Sequence, residues 1–236
     1  MDIKQVLQAR ANRRTRAGRP FTNFFEMAQQ CIAAGDMILI DAIDPKIKTL
    51  MERSTVISLV TAIEVYYRDI LDFIFRDCAP SYFEPKLKKL FPEKYDISEI
   101  LEIYRHSVHP LELVSAAQSF QNIDRIDKVF SPFLSSGGLW DTVFRLRVRV
   151  KNNPDRESSF QREDLAALKR IFDLRHELVH NPARCSFFTE QTLEDIWTSV
   201  HMIAGSDMVL TRVIRVNRDV ALEKEEDAGP HPPIPA

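Results

Sequence analysis

The stretch from residue 52 to residue 78 contains neither glycine nor proline, and its apolar residues recur at helical spacing. With Val56 at zero and ~100° per residue, Leu59, Val60, Ile63, Tyr66, Tyr67, Ile70, Leu71, Ile74 and Phe75 form one wide arc. Arg68, Asp69 and Asp72 take the opposite side. A helix this long with so wide an apolar arc must be wrapped by other elements. Ser54 and Thr55 supply a start signal. The pattern places the chain in a fold of packed helices.

The rest of the sequence agrees. Only 6 of 236 residues are glycine, against 13 prolines. So few glycines argue against a turn-rich β fold and against a glycine-rich phosphate loop. The prolines punctuate the chain. Residues 21–50 read as one helix with a ragged end, broken by Gly35 and Pro45. Residues 79–95 read as a loop, 96–107 as a helix with an Asp96/Glu99 capping box, and 111–130 as another helix. Ser135 to Gly138 is a break. Residues 142–151 alternate apolar and basic, which argues strand, while their flanks argue helix; both assignments stay open. Asn152 to Asp155 reads as a turn. Residues 159–180 form a helix ended by Asn181-Pro182, and 190–216 form the last helix. The class is all-α.

The chain divides into three regions: a basic arm over 1–20, one helical domain over 21–222, and a charged, proline-rich tail over 223–236, expected to be disordered. The formal charge of −2 conceals this segregation. The arm carries +5, six bases against Asp2, and residues 223–227 carry −3, four acids against Lys224. A uniformly basic protein is excluded; an RNA partner is not. The arm suits RNA or a partner surface, or is simply a solvated terminus.

Cys31, Cys78 and Cys185 form no CxxC pair, so a disulfide framework and a zinc ribbon lack support. The N-terminus has no apolar signal core, and the uncharged run Ser54–Ile63 is far short of the ~20 residues of a membrane span. A reduced, cytoplasmic location without a membrane is expected.

Two residues break the helical pattern. On the 164–180 helix, Leu168, Ile171, Phe172, Leu174, Leu178 and Val179 form the apolar arc, yet Arg175 falls in its middle. On the earlier helix Glu64 falls inside the apolar edge. Buried charges are costly unless paired, so Glu64 and Arg175 are expected to meet or to share a polar cleft. A plain structural ion pair is the bland alternative. His180 sits at a helix C-terminus, where the dipole favours imidazolium, and His176 lies one turn before it. A histidine can move protons near neutrality, and an arginine can stabilise charge developing on phosphorus. Arg plus His suffices for RNA cleavage through the 2′-hydroxyl. A surface histidine near a helix end is the bland reading of His180.

The string Asp173-Leu-Arg-His-Glu-Leu-Val-His-Asn181 resembles the signature of the HEPN superfamily: an Arg, a polar residue, three further residues, then a His near a helix end. The segment Ser54–Leu71 resembles the first core helix of the RiboL-PSP-HEPN group. The likeness spans roughly residues 50–215. It implies an up-and-down helical bundle that forms a homodimer, with two Arg–His motifs facing one cleft. It implies a metal-independent endoribonuclease, such as a toxin or defence effector with an antitoxin partner. Arg175 and His180 carry over as the catalytic pair, His176 as the polar residue usually filled by Asn, and Glu64 as the acidic residue of the early helix. The alternative is a non-catalytic module of the same superfamily that binds RNA, a nucleotide or a partner protein. A helical scaffold whose Glu64–Arg175 pair is only structural is the third reading.

Other signals are weaker. Arg145, Arg147, Arg149 and Lys151 would present one basic face to RNA phosphates if extended, or a solvated face. His106 and His109 with His176, His180 and Glu64 could suggest a metal, but Pro110 pulls His109 off helical geometry and no second Glu-x-x-His appears. Neither metal nor cofactor is expected. Cys185 lacks an activating neighbour. Tyr66, Tyr67, Trp140 and Trp197 read as core.

Overall fold

Asp44 and Pro45 start the longest helix. Asp44 Oδ1 accepts from the Lys46 amide at 2.9 Å, and proline stands at the first helical position, where its missing N–H costs nothing. In the computed structural model, the described residues are 6–8, 11, 19–40, 43–90, 97–135, 137–150, 153–181, 184 and 187–219. They form α1 (Pro20–Ile38), α2 (Pro45–Asp77), α3 (Pro80–Leu90), α4 (Ile97–Arg105), α5 (Pro110–Ala117) and α6 (Ile123–Phe130). A 3₁₀ turn at Ser131–Phe133 leads to α7 (Leu139–Phe144). The hairpin β1 (Arg147–Val150) and β2 (Asn153–Ser159) precedes α8 (Arg162–His180) and α9 (Glu190–Val216). The described structure is helical apart from that hairpin. No helix among the described residues is long and apolar enough to cross a membrane.

Helices α1, α2, α8 and α9 form the central bundle. Phe24 of α1 packs its ring 5.8 Å from Tyr66 of α2, while the end of α1 lies near the start of α2, so the two run antiparallel. Tyr66 bonds Asp207 at 3.0 Å and Tyr67 meets Ser206 at 2.9 Å. A bridge between Cys78 and Arg218 joins the ends of α2 and α9, which therefore run parallel. Arg170 and Asp195 tie α8 antiparallel to α9. The core holds Leu59, Ile63, Tyr67 and Ile74 of α2 with Ile196, Ile203 and Leu210 of α9. Helices α5 to α7 cover it. In particular, Phe120 and Phe130 stack at 5.8 Å and both reach Tyr67.

Several boundaries differ from the pattern reading. Gly35 does not break α1; it lies buried inside the helix, where an added Cβ would stand 2.7 Å from Leu193 and 3.1 Å from Phe188. The helix ends at Ile38 instead, and the next begins at Pro45. Residues 80–90 are helical rather than looped. Pro80 starts α3, and the Phe83 ring packs 5.5 Å from Phe75, which offsets the strain of Pro85 inside the helix. The expected helix over 111–130 is two helices. Gln118 turns extended, and Asn122 caps α6 by accepting from the Arg125 amide at 2.8 Å. Residues 142–151 divide: α7 runs to Phe144 and strand begins at Arg147. Asn153 to Asp155 belong to β2 rather than to a turn, with Val150 opposite Asn153.

Side-chain placement also corrects three readings. Asp69 is buried, because α1 packs over that side of α2. Val179 and Trp197 are 49% and 55% exposed, so neither is core. Val179 belongs to the last turn of α8, beyond the helix's last buried residue, Leu178. Trp140 is buried as expected and donates its indole N–H to the Ile123 carbonyl at 3.0 Å. The basic arm is not free throughout: Val6 is buried against Val108 and Leu113. The arm's bases other than Arg19, the Asp96 cap, Lys151, Cys185 and the tail at 223–236 lie outside the described residues.

The tightest seam is at Gly205. An added Cβ would meet Phe160 at 2.7 Å and Val143 at 2.9 Å. Gly205→Ala must push α9 away from α7 and Phe160, a cost of about 1–3 kcal/mol against alanine's better helix propensity. Urea unfolding is expected to show a lowered midpoint; an unchanged or raised midpoint would show that the seam has slack.

Candidate functional site

Helix α8 is built to end at His180. Asp164 closes a capping box at its start, and Asn181-Pro182 stops it. Its last two turns hold Arg175, His176 and His180, and Asn181 is the cap residue after them. Leu178 is buried and anchors this end to the bundle, while His176 and His180 are exposed. Their rings lie 4.4 Å apart, centroid to centroid, at an interplanar angle of 56°.

Arg175 and Glu64 come together as expected. Arg175 Nη2 stands 3.9 Å from Glu64 Oε1, and the side chains keep 24% and 16% of their surface exposed. That distance is an ion pair without a hydrogen bond. Arg175 Nε and Glu64 Oε1 are buried with no hydrogen-bond partner among the described residues. The guanidinium is thus held in place by charge while its donors stay unspent. Burial raises the Glu64 carboxyl above its ordinary value, more than the nearby Arg175 and Arg68 lower it.

This sets a sign for pH dependence. Glu64 binds its proton more tightly folded than unfolded, so its contribution to stability is full below the ordinary value of 4.5 and is lost as pH rises through the raised folded value. The stability difference between wild type and Glu64→Gln is therefore expected to shift against the wild type as pH climbs from 4.5. Urea unfolding of both proteins at a series of pH values reads it. A difference flat with pH would mean that Glu64 titrates as an ordinary exposed carboxylate.

Two further residues belong to this end of the bundle, and helical periodicity had not singled out either. Arg53 of α2 donates from Nη2 to the Leu178 carbonyl at 3.0 Å, tying down the last turn of α8. Glu52 beside it is 1% exposed, with Oε2 unpartnered among the described residues. The signal was present: one turn before Val56, Glu52 falls at about 320° on the α2 wheel, inside the apolar arc. On the outer side, Arg184 pairs with Glu177.

The basic segment lies elsewhere. Arg145 and Arg147 line a cleft with Arg162, at the start of α8, and with the acids Asp141 and Glu163. His180 is at the other end of that 19-residue helix, about 27 Å along its axis. Arg147 donates to the carbonyls of Phe144 and Leu146 at 3.1 and 3.0 Å, capping α7, whereas the Arg145 guanidinium has no partner among the described residues. Arg149 stands opposite Glu157 in the hairpin register. Within the chain this segment is thus not brought to the Arg–His string. His106 pairs with Glu102 at 3.4 Å and His109 caps α5 through Nδ1, so both histidines serve their own helices. Cys31 and Cys78 are buried, and burial pushes each thiol up to about 11, leaving no ready thiolate.

Comparison with family models, curated proteins and solved structures finds no match to this chain. The class that fold and site define together is a helical bundle carrying an Arg–His string at one exposed helix end.

Proposed function

We propose that this chain is a metal-independent endoribonuclease of HEPN type, acting as a homodimer, with a toxin or defence effector as its setting. The observation that carries the reading is the Arg175 guanidinium: paired with Glu64 at 3.9 Å, without a hydrogen bond among the described residues, on the helix end that also carries the exposed His176 and His180. A guanidinium with unspent donors is a ready partner for a phosphodiester.

His180 takes the proton of the ribose 2′-hydroxyl or gives one to the leaving 5′-oxygen. The 2′-oxygen forms a bond to phosphorus, the P–O5′ bond breaks, and the products are a 2′,3′-cyclic phosphate and a 5′-hydroxyl. Arg175 holds the phosphate oxygens as charge builds on them. Glu64 positions Arg175 and, with Arg53 at the helix end, fixes the register of the site. Arg175 and His180 are five positions apart, about 140° around α8. A second copy supplying its own string would let a phosphate meet an arginine and a histidine at once. His176 places a second imidazole 4.4 Å from that of His180, centroid to centroid, one helical turn before it.

The test is incubation of single-stranded RNA with the protein in EDTA, with analysis of the product ends. Cyclic phosphate and 5′-hydroxyl ends are expected. Cleavage that needs an added divalent metal would overturn the proposal, and RNA bound but left intact would favour the non-catalytic module.

A further inference from the structure

A cleft of about 580 Å³ opens at the opposite end of the bundle from His180, between α3, the 3₁₀ turn, α7 and the last turns of α9. Its volume is in the ordinary range for small-molecule sites. From Thr192, near the Arg175 end, to Arg212 in this cleft is about 30 Å along α9. The two sites are separate, so the chemistry of the cleft is independent of the role given to Arg175.

The lining has an unusual charge balance. Lys86, Arg145 and Arg212 face the cleft, and no Asp or Glu is among its described lining residues. The guanidinium groups of Arg145 and Arg212 have no hydrogen bond or ion pair among the described residues. Lys86 lies over the Tyr82 ring, its Nζ 3.2 Å from the centroid, and burial lowers its ammonium below the ordinary lysine value. Lys86 Nζ also donates to the Tyr82 carbonyl at 2.5 Å, and Asp141 stands on the far side of Arg145, but within the cleft three like charges face one another with no acid among the described lining residues, a balance that favours an anion. A polyvalent anion relieves all three, and the planar fork of arginine matches phosphate.

The remaining wall decides what the phosphate is attached to. Leu146, Val209 and Val213 form an aliphatic floor, and Met208 is 45% exposed at the cleft. The aromatic groups are not open to a nucleobase: Lys86 covers the Tyr82 face, and Phe133 is 2% exposed. Asn217 uses one of its two amide N–H groups on the Val213 carbonyl at 2.8 Å. The cleft therefore offers cations to a head group and methyl groups to a chain.

We propose that this cleft binds a free aliphatic phosphate ester, its phosphate between Arg145, Arg212 and Lys86 and its chain along Leu146, Val209 and Val213. Burying the chain contributes the apolar share of the affinity, and the cations select the head group.

Calorimetric titration of the full chain with octyl phosphate, kept below its micellar range, tests this. Inorganic phosphate, octyl glucoside and ADP serve as comparison probes. Octyl phosphate is expected to bind more tightly than all three. Arg212→Gln and Arg145→Gln are each expected to weaken it about tenfold, the loss of one charge-assisted contact. Neither side chain is buried, so the fold should persist, which circular dichroism checks. Met208→Trp, which fills the cleft without altering charge, should weaken binding as well. The proposal is overturned by any of four results: no heat with octyl phosphate, equal binding of octyl glucoside, tighter binding of ADP, or variants that bind like wild type. Preferential sedimentation with phosphatidic acid vesicles over capture of the free ester would also overturn it.

Discussion

Replacing His180 with alanine is expected to lower RNA cleavage in EDTA by about 100- to 10,000-fold, the usual worth of a positioned general acid or base. Arg175→Ala is expected to lose a comparable factor, about 100- to 1,000-fold, because it removes charge stabilisation where phosphate charge develops. Single-turnover rates with excess protein measure both without interference from product release. The two losses should not add. If the residues act on one phosphate as a unit, the double variant falls only about as far as the worse single variant. Arg175→Lys separates charge from shape: lysine keeps the cation but not the two-pronged fork, so most of the loss should remain. His176→Ala is expected to cost less than His180→Ala, because His180 is given the proton transfer and His176 only flanks it. Cleavage that survives both His180→Ala and Arg175→Ala would sink the assignment. The histidine variants are safe to interpret because both rings are exposed and His180 is the last residue of α8, where little packing is lost.

The site was legible because helical periodicity makes a misplaced charge conspicuous. Arg175 and Glu64 each interrupt an apolar arc, and the structure brings them within 3.9 Å. The same logic found the core position of Tyr66 and Tyr67. It failed where a helix is shorter than its pattern or longer than its signals. Asn122 is a helix cap in plain sight, but the apolar residues on either side of it run on as though one helix spanned 111–130. Pro85 argues for a loop on local grounds, and only the packing of Phe83 on Phe75 overrides it. Asp69 looks solvent-facing on the α2 wheel, because a wheel knows nothing of α1 packing on that side. The cationic cleft was invisible for a related reason. Lys86, Arg145 and Arg212 come from three separate helical regions, and only the parallel ends of α2 and α9 gather them. Arg145 stands out in the sequence for the alternation of its segment, not for its neighbours in space.

Phe130→Ala is expected to cost about 3–5 kcal/mol of folding stability, the range for truncating a fully buried aromatic. Phe130 has no exposed surface; its ring lies 5.8 Å from Phe120 and 5.5 Å from Tyr67. These three come from the end of α6, the extended segment before it, and the middle of α2. They are where the covering helices grip the bundle, so the gap cannot be closed by moving one flexible loop. The cost therefore includes the cavity as well as the lost transfer energy. Tyr67→Phe makes the useful contrast. It keeps the ring and removes only the hydroxyl that meets Ser206 at 2.9 Å. About 1 kcal/mol is expected there, the net worth of one hydrogen bond plus part of the penalty for leaving Ser206 unpaired. Ser206 limits that penalty, since its hydroxyl also donates to the Ile203 carbonyl at 2.8 Å. Urea unfolding of the two variants against wild type gives both numbers. A Phe130→Ala cost below that of Tyr67→Phe would mean that α6 does not pack on α2 as described, and that the aromatic cluster is not what joins the covering helices to the bundle.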